Sequence, residues 1–84
     1  MGEKEFKDKL NEYKERNDYN LEYGNMLLYG LNFNYIDIKF FLNEIDYLIK
    51  NNVSVAEYLY NCINGNEFFK EFDVELEYLK NRIN

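Results

Sequence analysis

Ile38, Phe41, Ile45 and Leu48 follow one another at alternating spacings of three and four, which lines them up on one face of an α-helix. Phe40, Tyr47 and Ile49 widen that stripe, while Asp37, Lys39, Asn43, Glu44, Asp46 and Lys50 supply the wet face. An apolar arc this broad needs neighbours on two sides, so the segment is predicted to be the central helix of an all-α domain, closed by Asn51-Asn52. A chain of 84 residues has room for one domain with a single modest core, so the rest must pack around this helix.

The flanking segments read as helices as well. From Glu3 to Arg16, Phe6, Leu10 and Tyr13 keep helical spacing, and Glu3–Lys7, Glu5–Lys9 and Glu12–Arg16 are favourable i,i+4 pairs. Asn17-Asp18 reads as a stop followed by an N-cap for a second helix through Tyr19, Tyr23, Met26, Leu27 and Leu31. Gly24 marks a close helix contact or a break in it, and Gly30 fits its C-terminal stop. Asn32 or Asn34 is expected to cap the third helix. Ser54-Val55-Ala56-Glu57 has the form of a capping box ahead of Tyr58, Leu59, Cys62 and Ile63, with Asn64-Gly65 as its stop. Asn66 can open a further turn through Glu67-Phe68-Phe69, and Asp73 can cap a last helix ending near Ile83. Val74 to Tyr78 also alternates with the period of a strand, but one edge strand without a partner is unstable, so helix is expected. The prediction is a compact bundle of four to five short helices spanning 1–84, its first helix (about 3–16) peripheral, packed across the third, or used for self-association.

Charge is distributed unevenly. Met1 to Arg16 is neutral, whereas from Asn17 to Leu79 eleven carboxylates face only Lys39, Lys50 and Lys70, and this segment carries the excess behind the net charge of −6. Such a field repels nucleic acid and membrane surfaces and attracts basic partners. Nine Tyr and seven Phe can bury enough surface to fold the chain, each contributing on the order of 1.5–3 kcal/mol when fully buried. So many rings cannot all be interior in so small a body, and the tyrosines left outside suit protein recognition.

Several chemistries lose their usual parts. The chain has no His, hence no imidazole base or ligand, and its single Cys62 permits neither an intrachain disulfide nor a thiolate zinc site. The apolar residues around Cys62 predict a buried thiol. There is no Gly-rich phosphate loop, and the acidic run near the C-terminus lacks the interleaved spacing of a calcium loop. No cofactor or metal is expected, and a non-enzymatic role is. With no apolar run of membrane-spanning length and no signal segment, the expected location is the cytoplasm, that of a host cell if the gene is carried by a phage.

From Ser54 to Phe68, the order Ser-x-x-Glu, an apolar stretch and Glu67-Phe68 resembles the end of a bacterial helical domain of unknown function found in secreted or glycan-associated proteins. Gly65 stands where that family carries Ser. The resemblance implies a helix-turn-helix and an adaptor or surface-protein role. In size, acidity and AT-rich composition the chain is also similar to small phage anti-CRISPR inhibitors.

Asp37, Glu44, Asp46, Glu67, Glu71, Asp73, Glu75 and Glu77 are the candidate acidic binding face, with Tyr58, Tyr60 and Tyr78 as aromatic anchors. Dense carboxylates on one flank can imitate phosphates, which duplex DNA presents at about one per 1.7 Å, and so occupy the basic groove of a nucleic-acid-binding effector. The expected partner is therefore a basic protein, with no direct contact to nucleic acid. Self-association as a homodimer is the second expectation.

Overall fold

Five α-helices and one 3-10 helix account for the chain, whose computed structural model describes all residues from Met1 to Asn84. They are α1 (Glu3–Glu15), α2 (Leu21–Asn32), α3 (Ile38–Asn51), α4 (Val53–Ile63), the 3-10 helix Glu67–Phe72 and α5 (Asp73–Ile83). No strand forms: residues 74 to 78 lie inside α5, with Leu76 and Leu79 turned into the core. The body measures 32 × 25 × 15 Å, a thickness that fits two helix layers with axes about 8–10 Å apart. Its accessible surface of 5526 Å² is about that of a folded monomer of 10.3 kDa.

α3 holds the position its stripe requires. Phe41, Ile45 and Leu48 are fully buried, and the helix packs against α2, α4 and α5. α4 turns back directly from α3 and brings Val55, Ala56, Leu59 and Ile63 onto the same core. α1 differs from the expected crossing of α3: it lies chiefly along α2, inserting Phe6 and Leu10.

The helix boundaries show where side-chain capping yields to packing. Asn17 ends the first helix in the left-handed region (φ 55°), as its sequence position suggests, but Asn20, not Asp18, caps α2 by accepting from the Tyr23 amide at 3.0 Å. Asp37 caps α3, accepting from the Phe40 amide at 2.8 Å, whereas Asn34 takes a left-handed turn (φ 59°) one loop earlier. The capping box at Ser54 does not form. α4 begins upstream, at Val53, with the Asn52 carbonyl accepting from the Val55 and Ala56 amides. That start turns Val55 and Ala56 inward, and their burial decides the register over a surface Ser-Glu exchange. The Asn52 side chain is used elsewhere, donating to the Tyr19 carbonyl at 2.7 Å and tying the α3–α4 corner to the loop before α2. The Glu3–Lys7 and Glu12–Arg16 pairs close at 3.8 and 3.9 Å, while Glu5 and Lys9 do not pair.

Both glycines of α2 serve contact. A Cβ at Gly24 would sit 2.9 Å from Val55 Cγ1, so this glycine lets α2 approach α4. Gly30 is not the expected stop: α2 runs on to Asn32, and a Cβ at Gly30 would stand 2.4 Å from Cζ of Phe6. The Phe6 ring is fully buried beside Tyr29 and Tyr35 and has no room to retreat. Gly30→Ala is therefore expected to destabilise the protein by about 1–2 kcal/mol, overpacking outweighing the gain of about 1 kcal/mol in helix propensity. Chemical denaturation measures the change, and Phe6→Leu in the Gly30→Ala background is expected to recover part of it.

Candidate partner-binding surface

The 3-10 helix and α5 carry the densest run of exposed acids. Glu67, Glu71, Asp73, Glu75 and Glu77 are all exposed, Lys70 is the one cation among them, and none of the five belongs to an ion pair. Asp73 and Glu75 occupy the first turn of α5, where a carboxylate interacts favourably with the helix dipole by about 0.3–1 kcal/mol. Leu76 points into the core, so Glu75 and Glu77, about 200° apart on the helix, leave on opposite flanks. The acids thus form an edge along α5, not one flat face.

On the Glu75 flank, α3 and α5 enclose a depression of about 190 Å³ that brings Asp46, Glu75 and Tyr78 together with Asn43. Arg82 ion-pairs with Asp46 and lies 5.8 Å from the ring centroid of Tyr78, so Asp46 is the neutralised member of this group. Tyr78 remains 55% exposed and Val74, on the outer side of α5, 80%.

Other candidates lie elsewhere. Asp37 is exposed but spends one carboxylate oxygen as the cap of α3. Tyr58 is exposed on α4, its hydroxyl donating to Asn25 Oδ1 at 3.0 Å, away from the α5 edge. Tyr60 is a correction: it is 8% exposed and part of the core, because α4 must turn Ala56, Leu59 and Tyr60 inward against α3 and α5.

Glu44 is the larger correction. Sequence position puts it on the wet face of α3, yet it is 9% exposed and linked to two other helices. Lys14 of α1 donates to Oε1 at 2.7 Å and the Tyr23 hydroxyl of α2 donates to Oε2 at 2.7 Å. A buried carboxylate is tolerable only with such partners. Lys14 also stands 5.1 Å from the Phe40 ring centroid, and Tyr13, Tyr19 and Tyr47 continue the cluster by edge-on ring contacts. Burial, then the hydrogen bond to Glu44, pushes the Tyr23 hydroxyl far above its ordinary value; the hydrogen bond to Tyr47 pushes Tyr19 up to about 12. Glu44 is a structural node and no part of an exposed binding face.

Cys62 is exposed, contrary to expectation, because the buried arc of α4 runs through Leu59, Tyr60 and Ile63 and leaves residue 62 outside it. It lies in an open trough with Phe68, which is 87% exposed. Neither was a candidate from sequence, where Glu67-Phe68-Phe69 reads only as a further helical turn. No group of three or more acidic or Cys side chains is arranged to hold a metal ion.

Two outcomes follow for the Glu44 node. Lys14→Met leaves a buried carboxylate without its cation and is expected to cost about 1–3 kcal/mol, below the range for fully buried pairs because the Lys14 side chain is 35% exposed; Lys14→Met combined with Glu44→Met is expected to be more stable than Lys14→Met alone. The unfolded chain ionises its tyrosines near pH 10, whereas the folded one holds the Tyr19 and Tyr23 protons more tightly. Their contribution is therefore complete below about pH 10 and is lost as pH rises from there towards 12, a decline that denaturation titrations should find shallower in Tyr19→Phe/Tyr23→Phe.

Against known proteins, no family model matches the chain, and neither curated proteins nor solved structures provide a match.

Proposed function

We propose that the protein is a small non-enzymatic binding module that docks on a basic protein surface, most concretely an inhibitor carried by a phage or mobile element that occludes the nucleic-acid-binding site of a host defence protein. The observation that carries this reading is the unpaired edge: five exposed carboxylates between Glu67 and Glu77, none of them answered by a lysine or arginine of the chain. Charges left free within the molecule are available to a partner. On α5, Glu75 leaves on the flank that faces α3 and Glu77 on the other, so a basic partner would meet these carboxylates along an edge and not as one flat row. Tyr78 beside Glu75 supplies an aromatic anchor, and Glu75, Asp46 and Tyr78 share one depression. In this mechanism the carboxylates speed encounter and the aromatic contact lengthens residence.

A second reading, a self-associating structural or adaptor module, draws on the exposed apolar side of α5, where Val74 and Tyr78 face outward. Ionic strength separates the two. Exposed charges are screened over about 10 Å at 0.1 M salt, so capture of a basic partner from host lysate should fall steeply between about 50 and 500 mM. Self-association through apolar contacts should not. Glu71→Lys/Glu75→Lys/Glu77→Lys is expected to abolish capture while leaving the helical circular dichroism unchanged. Capture that survives both high salt and this triple reversal would exclude the acidic edge as the docking surface.

A further inference from the structure

Where the C-terminal turns of α2 and α4 approach the 33–37 loop and the 3-10 helix, the surface opens into a trough of about 830 Å³. Eight of its twelve lining residues are hydrophobic. Leu28, Leu31, Ile36, Ile38 and Ile63, each buried or half-buried, form its floor. Phe68 lines it while leaving 87% of its surface in water. Asn32, Asn34 and Asn66 add amide groups, and the single charged residue lining it is the carboxylate Asp37.

We propose that this trough is a docking groove for a basic amphipathic helix of a protein partner, apolar side chains seated on the floor and flanking Lys or Arg residues meeting Asp37 and the acidic field of the chain. Three features select that occupant. Phe68 lines the trough yet is 87% exposed, so an occupant that buries this ring also extends above the floor. The chain has no sheet edge to which a partner could add a strand, so side-chain contacts must carry the binding, and a helix presents them with its own backbone satisfied. Charge decides against a second copy: no lysine or arginine lines the trough, and two bodies of net charge −6 would meet with Asp37 against Asp37. The combination of an apolar centre, an Asn rim and the single carboxylate Asp37, one oxygen of which also caps α3, matches the anatomy of a recognition surface. The proposal rests on the reading of the protein as a binder of basic partners and gives the apolar part of that contact a place distinct from the α5 edge.

A helical Leu/Lys amphipathic peptide of about 18 residues is the probe, with a Ser/Lys peptide of equal charge and a Leu/Glu peptide of equal apolarity as controls. Cys62, exposed in the trough and the one cysteine of the chain, reports occupancy through its rate of reaction with a thiol reagent, and amide chemical-shift mapping reports location. The Leu/Lys peptide is expected to slow Cys62 modification at least about fivefold, to shift the signals of Leu31, Ile36 and Phe68, and to bind about tenfold more weakly to Phe68→Ser, a surface change that should leave the circular dichroism intact. The controls should do none of this, and Glu71→Lys/Glu75→Lys/Glu77→Lys should still show the protected thiol. Shifts confined to α5 with Cys62 unprotected, affinity unchanged in Phe68→Ser, equal protection by the Leu/Glu peptide, or a sedimenting dimer abolished by Phe68→Ser would each overturn the proposal. Those results leave the salt-sensitive α5 edge standing; loss of the α5 edge with Cys62 still protected by the Leu/Lys peptide would remove that edge and keep the groove.

Discussion

One carboxylate joins three helices: Glu44 of α3 accepts from Lys14 of α1 and from Tyr23 of α2. Removing a carboxylate from water is costly, and the arrangement stands because both oxygens are answered by short hydrogen bonds, one of them from a cation. Apolar packing alone would let α1 slide along α2, since Phe6 and Leu10 need only an oily surface. The Lys14–Glu44 contact specifies the rotation of α1, and Gly30 sets its depth by admitting the Phe6 ring. These two constraints, one electrostatic and one steric, hold a helix whose remaining surface is almost entirely polar.

The helical class of the fold was readable because its main signal is periodicity. The stripe Ile38–Phe41–Ile45–Leu48 placed α3, and Phe6 and Leu10 placed the buried side of α1, since these positions depend only on which side chains leave water. Termini read less well. Asn17 and Gly65 were correct because a left-handed residue is a local requirement, satisfied at φ 55° and 81° wherever the helix packs. Ser54 failed because a cap bond of about 1 kcal/mol competes with inward rotation of Val55 and Ala56, which removes more apolar surface from water. Gly30 read as a stop because a glycine demanded by a neighbouring ring and one demanded by a turn look the same in sequence.

The candidate site was legible to a lesser degree, for a related reason. Acidity in the 67–77 run is a property of composition and survives folding, so its exposure could be expected. Whether a carboxylate is free depends on what arrives from distant segments. Lys14 arrives at Glu44 from thirty residues away and Arg82 arrives at Asp46 from α5, and no spacing rule announces either. Tyr60 and Cys62 exchanged their expected places because residues two apart on a helix point to opposite sides, so the rotation of α4 that buries one exposes the other.

The ion pairs give the charge asymmetry its three-dimensional form. Four of the five involve a cation of α1 or its end: Lys7 with Glu3, Lys14 with Glu44, and Arg16 with Glu12 and Asp18. Those cations are held at or near α1, and the fifth pair consumes Arg82 on Asp46. No cation forms an ion pair with Glu67, Glu71, Asp73, Glu75 or Glu77, so these five carboxylates stay unneutralised by contact after folding, with Lys70 and Lys80 the unpaired cations on the same two helices. A chain whose lysines had folded back over α5 would have the same net charge and no directional field. The placement of the positive residues, more than the number of negative ones, is what leaves the C-terminal carboxylates without ion-pair partners in the fold.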